Sequence, residues 1–324
     1  MEMKLCSYLA LLVSAVLLFS SLQVDGADWG YVVGDAKGPD NWPTLFPDYC
    51  SKSKQSPINI VSASAERKNI GDLTLVGFGM TPPGGAAMTV KNNGHTVEVE
   101  LTSGEYLVSE GGLAKDEAYK AVQFHFHWGN ANTVGSEHTV DGKQYPAEVH
   151  IVSYNTKYAS VGEAAGNEDG LTVLGFLIDI QADDNAAFAP LFDAFPAIQF
   201  HGQHEDLSSP LIFGEMLPSN LSSFYRYSGS LTTPSCNEVV VWNVFTTPIL
   251  LSEAQIGMFR SLNMNELAAD AENQTYVDTF RPTQPLNGRT VYLNDISNTG
   301  SASVISTVTL GSILSFVLAT VLLK

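Results

Sequence analysis

The stretch "QFHFHWG", Gln123 to Gly129, sets two histidines one residue apart between aromatic residues. In a β-strand, side chains at i and i+2 share a face. His125 and His127 therefore project together, with Gln123 ahead of them on the same side, while Phe124, Phe126 and Trp128 turn the other way. An alternating aromatic face belongs in the core of a sheet. The two imidazoles then either hydrogen-bond inside that sheet or converge on a ligand, and H-x-H alone does not separate these readings.

A second segment does. In "AEVHIVSY", Ala147 to Tyr154, the same count puts Glu148, His150 and Val152 on one face, with Val149 and Ile151 packed behind it. The intervening "GNANTVGSEHTVDGKQYP", Gly129 to Pro146, is long for a hairpin loop but returns the chain as an antiparallel neighbour, which brings His150 opposite the first pair. Three neutral imidazoles with one position left open is the arrangement of catalytic zinc, whereas structural zinc sites are closed and usually rich in cysteine. Gln123 and Glu148 each precede a ligand by two residues, where they serve as outer acceptors that fix the ring tautomers. The other histidines read more simply: His138, beside Glu137, as a structural hydrogen-bonding residue, and His201 and His204 in "FHGQHED" as a solvated loop. His95 differs, because "NNGH" sets it just before a strand, overlooking a cleft.

Further β-branched and aromatic segments, "HTVEVEL" (His95 to Leu101), "LTVLGFLIDI" (Leu171 to Ile180) and "NEVVVWNVF" (Asn237 to Phe245), are separated by Gly, Pro, Asn and Asp. Helix candidates are few: "DDNAAFAPLFDAF" near Asp183, and "LSEAQIGMFRSL", where Ser252 and Gln255 form a capping box. No linker, charge block or repeat interrupts Asp28 to about Asp295. The expected fold is mainly β with peripheral helices (α+β), a large central, mostly antiparallel twisted sheet in a single domain. In the 324 residues, 16 basic against 34 acidic groups give a net charge of −18, which repels phosphate backbones and argues against nucleic acid. An acidic, soluble, monomeric surface follows.

The ends point to export. Leu5 to Leu22 form a short apolar run after Lys4 that stops at "QVDGADWG", which reads as a secretion signal over residues 1–26. Of three cysteines, Cys6 leaves with it, and Cys50 and Cys236 remain as an even pair in an oxidising compartment, which predicts a disulfide. The sequons at Asn220 and Asn273 fit the same compartment. From Val304 to Leu323 no residue is charged and only Lys324 follows, while "SNTGSAS" upstream supplies small attachment residues. That order favours a glycosylphosphatidylinositol signal over 298–324 rather than a single-pass helix, and either tethers the 27–297 domain outside the plasma membrane.

Taken with "DWGY" (Asp28 to Tyr31), "QSPINI" (Gln55 to Ile60), "NNGH", "GSEHTVDG" (Gly135 to Gly142), "DGLTVLG" (Asp169 to Gly175), "GSLTTPSC" (Gly229 to Cys236) and "FRPTQPLNGR" (Phe280 to Arg289), these motifs resemble the alpha-class carbonic anhydrases over nearly the whole mature chain. The cysteine pair, signal and apolar tail look like the extracellular, membrane-anchored members of that family. The resemblance implies a zinc ion on His125, His127 and His150, and attack of zinc-held hydroxide on carbon dioxide to give bicarbonate. It implies that Thr232 donates a hydrogen bond to Glu137 and orients the hydroxide, and that Thr233 helps to orient bicarbonate. Val152, Val173, Leu231 and Val240 would line the apolar carbon dioxide pocket, and His95 would shuttle the proton through water ordered by Tyr31 and Asn93. Three positions depart from the family pattern. Glu98 replaces a common neutral amide, Ser235 replaces a second proline and is expected to loosen its turn, and Thr279 stands where Asn is common, although only its backbone carbonyl is needed. The competing readings are a catalytically silent binding or adhesion domain of the same fold, which loss of a ligand His would have favoured, and a mineral-deposition scaffold suggested only by acidity.

Overall fold

The computed structural model describes residues 29–82, 86–263 and 277–294. Among them a 12-stranded sheet runs, from edge to edge, through His204–Asp206, Met88–Asn92, Val97–Leu101, Ala118–Trp128, Ala147–Asn155, Leu171–Gln181, Val240–Ser252, Phe224–Gly229, Tyr292–Asn294 and Glu66–Arg67. Leu73–Val76 and Leu107–Glu110 branch from the Ala118–Trp128 strand. Two pairings are parallel, Leu171–Gln181 with Val240–Ser252 and Tyr292–Asn294 with Glu66–Arg67, and the rest of this sheet is antiparallel. The expected fold class is what forms. The helices are short and peripheral, and Glu253–Arg260 opens with the predicted capping box: Ser252 Oγ accepts from Gln255 N and Gln255 Oε1 accepts from Ser252 N.

Period-two alternation sorts the two faces. Phe124, Phe126 and Trp128 are fully buried on one side with Val149, Ile151 and Phe176, against Phe188, Leu191, Phe195 and Phe259 of the peripheral helices. The histidines occupy the opposite face, beside a second apolar cluster that contains Val152, Val173, Val240 and Trp242. The register places His125 directly across from His150, as the return of the chain through the long loop requires.

That loop folds back tightly. Gly135, at φ +145, lies so close to the returning backbone of the same loop that a Cβ would sit 1.9 Å from the Pro146 carbonyl oxygen, so only glycine fits. The close approach carries Glu137 and His138 inward, where both are buried, and Thr139–Val140 then pair with Asn59–Ile60. The Cys50–Cys236 disulfide closes across 186 residues with a Cα separation of 4.9 Å, tying the N-terminal segment to the turn that carries Thr232 and Thr233. For a loop of this length the chain-entropy model gives about 5 kcal/mol of stabilisation.

Candidate metal centre

Each of the three imidazoles is held by a different acceptor. His125 Nδ1 donates to Gln123 Oε1 at 2.9 Å, His127 Nδ1 to the Thr279 carbonyl at 2.6 Å, and His150 Nε2 to Glu148 Oε1 at 2.7 Å. Carbonyl and carboxylate oxygens can only accept, so they fix the tautomers and leave His125 Nε2, His127 Nε2 and His150 Nδ1 without protons. These are the nitrogens that face one another: His127 Nε2 and His150 Nδ1 are 3.2 Å apart, and ligand atoms of all three rings lie within 4.8 Å of each other. A buried carboxylate oxygen lies beside them. Glu137 Oε2 is 3.4 Å from His127 Nε2 and has no hydrogen-bond partner. Three lone-pair-bearing nitrogens turned inward form a donor set for a cation, and imidazole nitrogen suits zinc.

Electrostatics keep the rings neutral. Burial, followed by neighbouring imidazoles, pushes His125 well below its ordinary pKa and His127 down to about 3; burial also lowers His150 against the pull of Glu148. Glu148 behaves in the opposite way. Burial alone would raise its pKa, but His138 and His150 together hold it well below the usual carboxylate range. It accepts from His150 through Oε1, and from His138 through both Nδ1 at 2.7 Å and the backbone N–H at 2.8 Å. His138 is thereby a bracket for the acceptor of His150, and its other nitrogen meets the Tyr227 hydroxyl at 2.7 Å. A second triad, His138, Glu148 and His150, also lies close enough together for a cation. Its carboxylate already accepts from both rings, so it is a hydrogen-bond relay.

Glu137 sits behind the ligands. Burial pushes its carboxyl well above the usual range, while the Arg281 backbone N–H, donating to Oε1 at 2.9 Å, and the Thr232 hydroxyl pull it down. The hydroxyl is near enough to exert that pull, yet Oε2 lacks a partner at full hydrogen-bond geometry. Arg281 is buried, bonding to Gln55 Oε1 and the Ser56 carbonyl at 2.9 Å each, with its guanidinium over Trp42. Sequence reasoning passed over this residue, although it stands inside the quoted "FRPTQP".

The other site residues fall around the same face. Val152, Val173 and Val240 are buried in one cluster with Leu231 packed against it. Tyr31 lies edge-on to His127 with ring centroids 6.4 Å apart. Asn93 Oδ1 accepts from the backbone N–H groups of His95 and Thr96, and its amide nitrogen donates to Glu98 Oε2 at 3.4 Å. The His95 ring stacks on Trp29 with centroids 3.8 Å apart, a partner that the sequence did not foretell. Thr233 accepts a backbone bond from Cys236 at 2.7 Å, and Ser235 is bonded to Asn237, which donates in turn to the Ala165 carbonyl, so the expected loosening of this turn has side-chain ties acting against it. His204 begins an edge strand and is exposed, and neither it nor His201 joins a candidate metal group among the described residues. Asn220 is exposed and caps Ser222 N, while Asn273 and the apolar segments at both ends lie outside the described residues. No helix among the described residues is long and apolar enough to cross a membrane.

A family profile for eukaryotic-type carbonic anhydrases matches residues 37–295. The chain is 38% identical to "Carbonic anhydrase 7" of Homo sapiens over 266 residues, covering 81% of this chain and 96% of that protein. It is likewise 38% identical to the Mus musculus protein of the same name over 266 residues, with the same coverage. It is 37% identical to "Carbonic anhydrase 6" of Bos taurus over 277 residues, 84% of this chain and 82% of the relative. The converging imidazoles, the matching profile and these identities lead to one conclusion: the chain belongs to the eukaryotic-type carbonic anhydrase family, zinc enzymes that hydrate carbon dioxide.

Proposed function

We propose that this chain catalyses reversible hydration of carbon dioxide outside the cell, with His125, His127 and His150 holding the zinc and the residues around them dividing the remaining work. One observation carries the reading: three imidazole nitrogens stripped of protons by their outer partners meet beside a partnerless carboxylate oxygen. Zinc in that cage supplies the Lewis acidity that makes water a nucleophile near neutral pH, a general property of carbonic anhydrase zinc rather than a result obtained from this geometry.

The protein's own groups do the rest. A nearby dication favours the ionised form of Glu137, offsetting its burial. As a carboxylate it can only accept, so the Thr232 hydroxyl donates to it and presents its own lone pair to the O–H group at the reacting position. That one-way hydrogen bond orients the attack, and Thr233 steadies bicarbonate on the same turn. Val152, Val173, Leu231 and Val240 offer carbon dioxide an apolar wall, where an unsolvated, uncharged substrate loses little on leaving water.

His95 exports the proton. Imidazole is the side-chain class suited to relaying protons near neutral pH, and Asn93 together with Tyr31 would order water between His95 and the metal. His95→Ala is expected to lower turnover at low buffer by up to about a hundredfold, with imidazole restoring it and the carbon dioxide step little changed. Failure of added imidazole to restore turnover would remove His95 from this role.

The location rests on the cystine, the sequons and the apolar ends, which support a signal over 1–26, glycosylation at Asn220 and Asn273, and a lipid anchor replacing 298–324. Phosphatidylinositol-specific phospholipase should release the protein from cells, and retention after treatment would favour the single-pass helix. For the activity, the experiment is zinc analysis of the purified protein with stopped-flow hydration before and after chelation. Stoichiometric zinc and chelator-sensitive turnover are expected; folded protein that is metal-free under zinc-replete conditions, or turnover indifferent to chelation, overturns the reading.

A further inference from the structure

Val97 and Val99 are fully buried on the aromatic side of the sheet, which turns Glu98 and Glu100 to the metal side. There Glu98 stands directly across from His125 and Glu100 across from Gln123, while on the next strand outward Lys91 stands across from Glu98. One rank of side chains thus runs Lys91, Glu98, His125, His150. Directly opposed residues in an antiparallel pair have Cβ atoms about 5 Å apart.

The Glu98 carboxylate is pinned. Its Oε1 is 2.9 Å from Lys91 Nζ, and its Oε2 accepts from Asn93 Nδ2 at 3.4 Å. Lys91 also bonds Glu100 at 2.6 Å, so one ammonium serves two carboxylates and the cluster keeps one net negative charge beside a ligand of the metal. Only 16% of the Glu98 side chain is exposed, against 24% for Lys91 and 31% for Glu100, which weakens its screening by solvent. Both oxygens being held, it does not swing into solvent.

We infer that Glu98 is a specificity-determining residue of this site, a fixed charge that disfavours small anions at the open metal position while leaving uncharged ligands unaffected. The inference rests on the carbonic anhydrase reading of the three histidines and extends it. Carbon dioxide is neutral and bicarbonate is not, so the charge selects for substrate entry and against product and inhibitory anions. A single charge at cleft distances, in a medium between protein and water, changes anion affinity by about two- to tenfold.

The test uses cobalt-loaded protein, whose visible spectrum reports binding without turnover. Wild type, Glu98→Gln and Lys91→Met are titrated with thiocyanate and with neutral 1,2,4-triazole at mildly acidic pH and fixed ionic strength. Glu98→Gln should tighten thiocyanate by about two- to tenfold and Lys91→Met should weaken it by a similar factor, with triazole affinity unchanged in both. Thiocyanate affinity that is the same in all three proteins, or that moves together with triazole, overturns the role of Glu98 and leaves the metal site standing. Folded wild-type protein that takes up no cobalt overturns both.

Discussion

His127→Ala is expected to abolish zinc binding and carbon dioxide hydration together. The ring is fully buried, its Nδ1 donates to the Thr279 carbonyl, and its Nε2 faces His150 Nδ1 at 3.2 Å. Truncation leaves two imidazoles, too few for the cage, and exposes the Thr279 carbonyl to a cavity. The unsatisfied acceptor and the cavity together cost about 1–3 kcal/mol or somewhat more in stability. His127→Gln keeps more of the volume and a polar end, which separates loss of the ligand from loss of the fold. Loss of the Lewis acid removes several kcal/mol of transition-state stabilisation, so turnover should fall by about a thousandfold or more. Metal analysis after dialysis, the hydration rate and a thermal melt together check this. A zinc-loaded variant with full turnover would contradict the ligand assignment.

Thr232→Ala is expected to separate chemistry from metal binding. The residue is buried, its hydroxyl pulls the Glu137 pKa down, and it is not one of the inward-facing nitrogen donors. Removing its hydroxyl deletes the one-way link that aims the attacking oxygen, and misorientation of a reacting group by about an ångström costs about a hundredfold. kcat/KM should therefore drop by about that factor, while zinc affinity stays within about threefold. Thr232→Ser, which keeps the hydroxyl, should recover most of the loss. Equal losses in turnover and zinc affinity would mean that Thr232 acts mainly by holding the structure.

Much of the site could be read from period-two alternation because it is a property of one strand at a time. Gln123 and His125, or Glu148 and His150, share a face whatever the rest of the chain does, and each acceptor lies two residues before its ring. The same logic placed Phe124, Phe126 and Trp128 in the core. It did not extend to the third acceptor. The Thr279 carbonyl is 152 residues from His127 and belongs to irregular backbone, where no periodicity indicates direction, so only the family resemblance singled it out. Arg281 was missed for a related reason. Charged side chains are usually solvated, and what buries this one is the convergence of Gln55, Ser56 and Trp42 from a distant segment.

The sequence by itself determined the β-rich class, the faces of the histidine-bearing strands, the three histidines that form the candidate metal group and the disulfide pair, because alternation, residue chemistry and cysteine count are local or compositional. Only the tertiary structure decided that three deprotonated nitrogens meet with the oxygen of Glu137, that Glu148 grips both His138 and His150, and that Glu98 stands across from His125 with one ammonium for two acids. These depend on strand register and loop closure, where a one-residue slip would turn every side chain to the other face and where the forces involved are summed over the whole packed sheet.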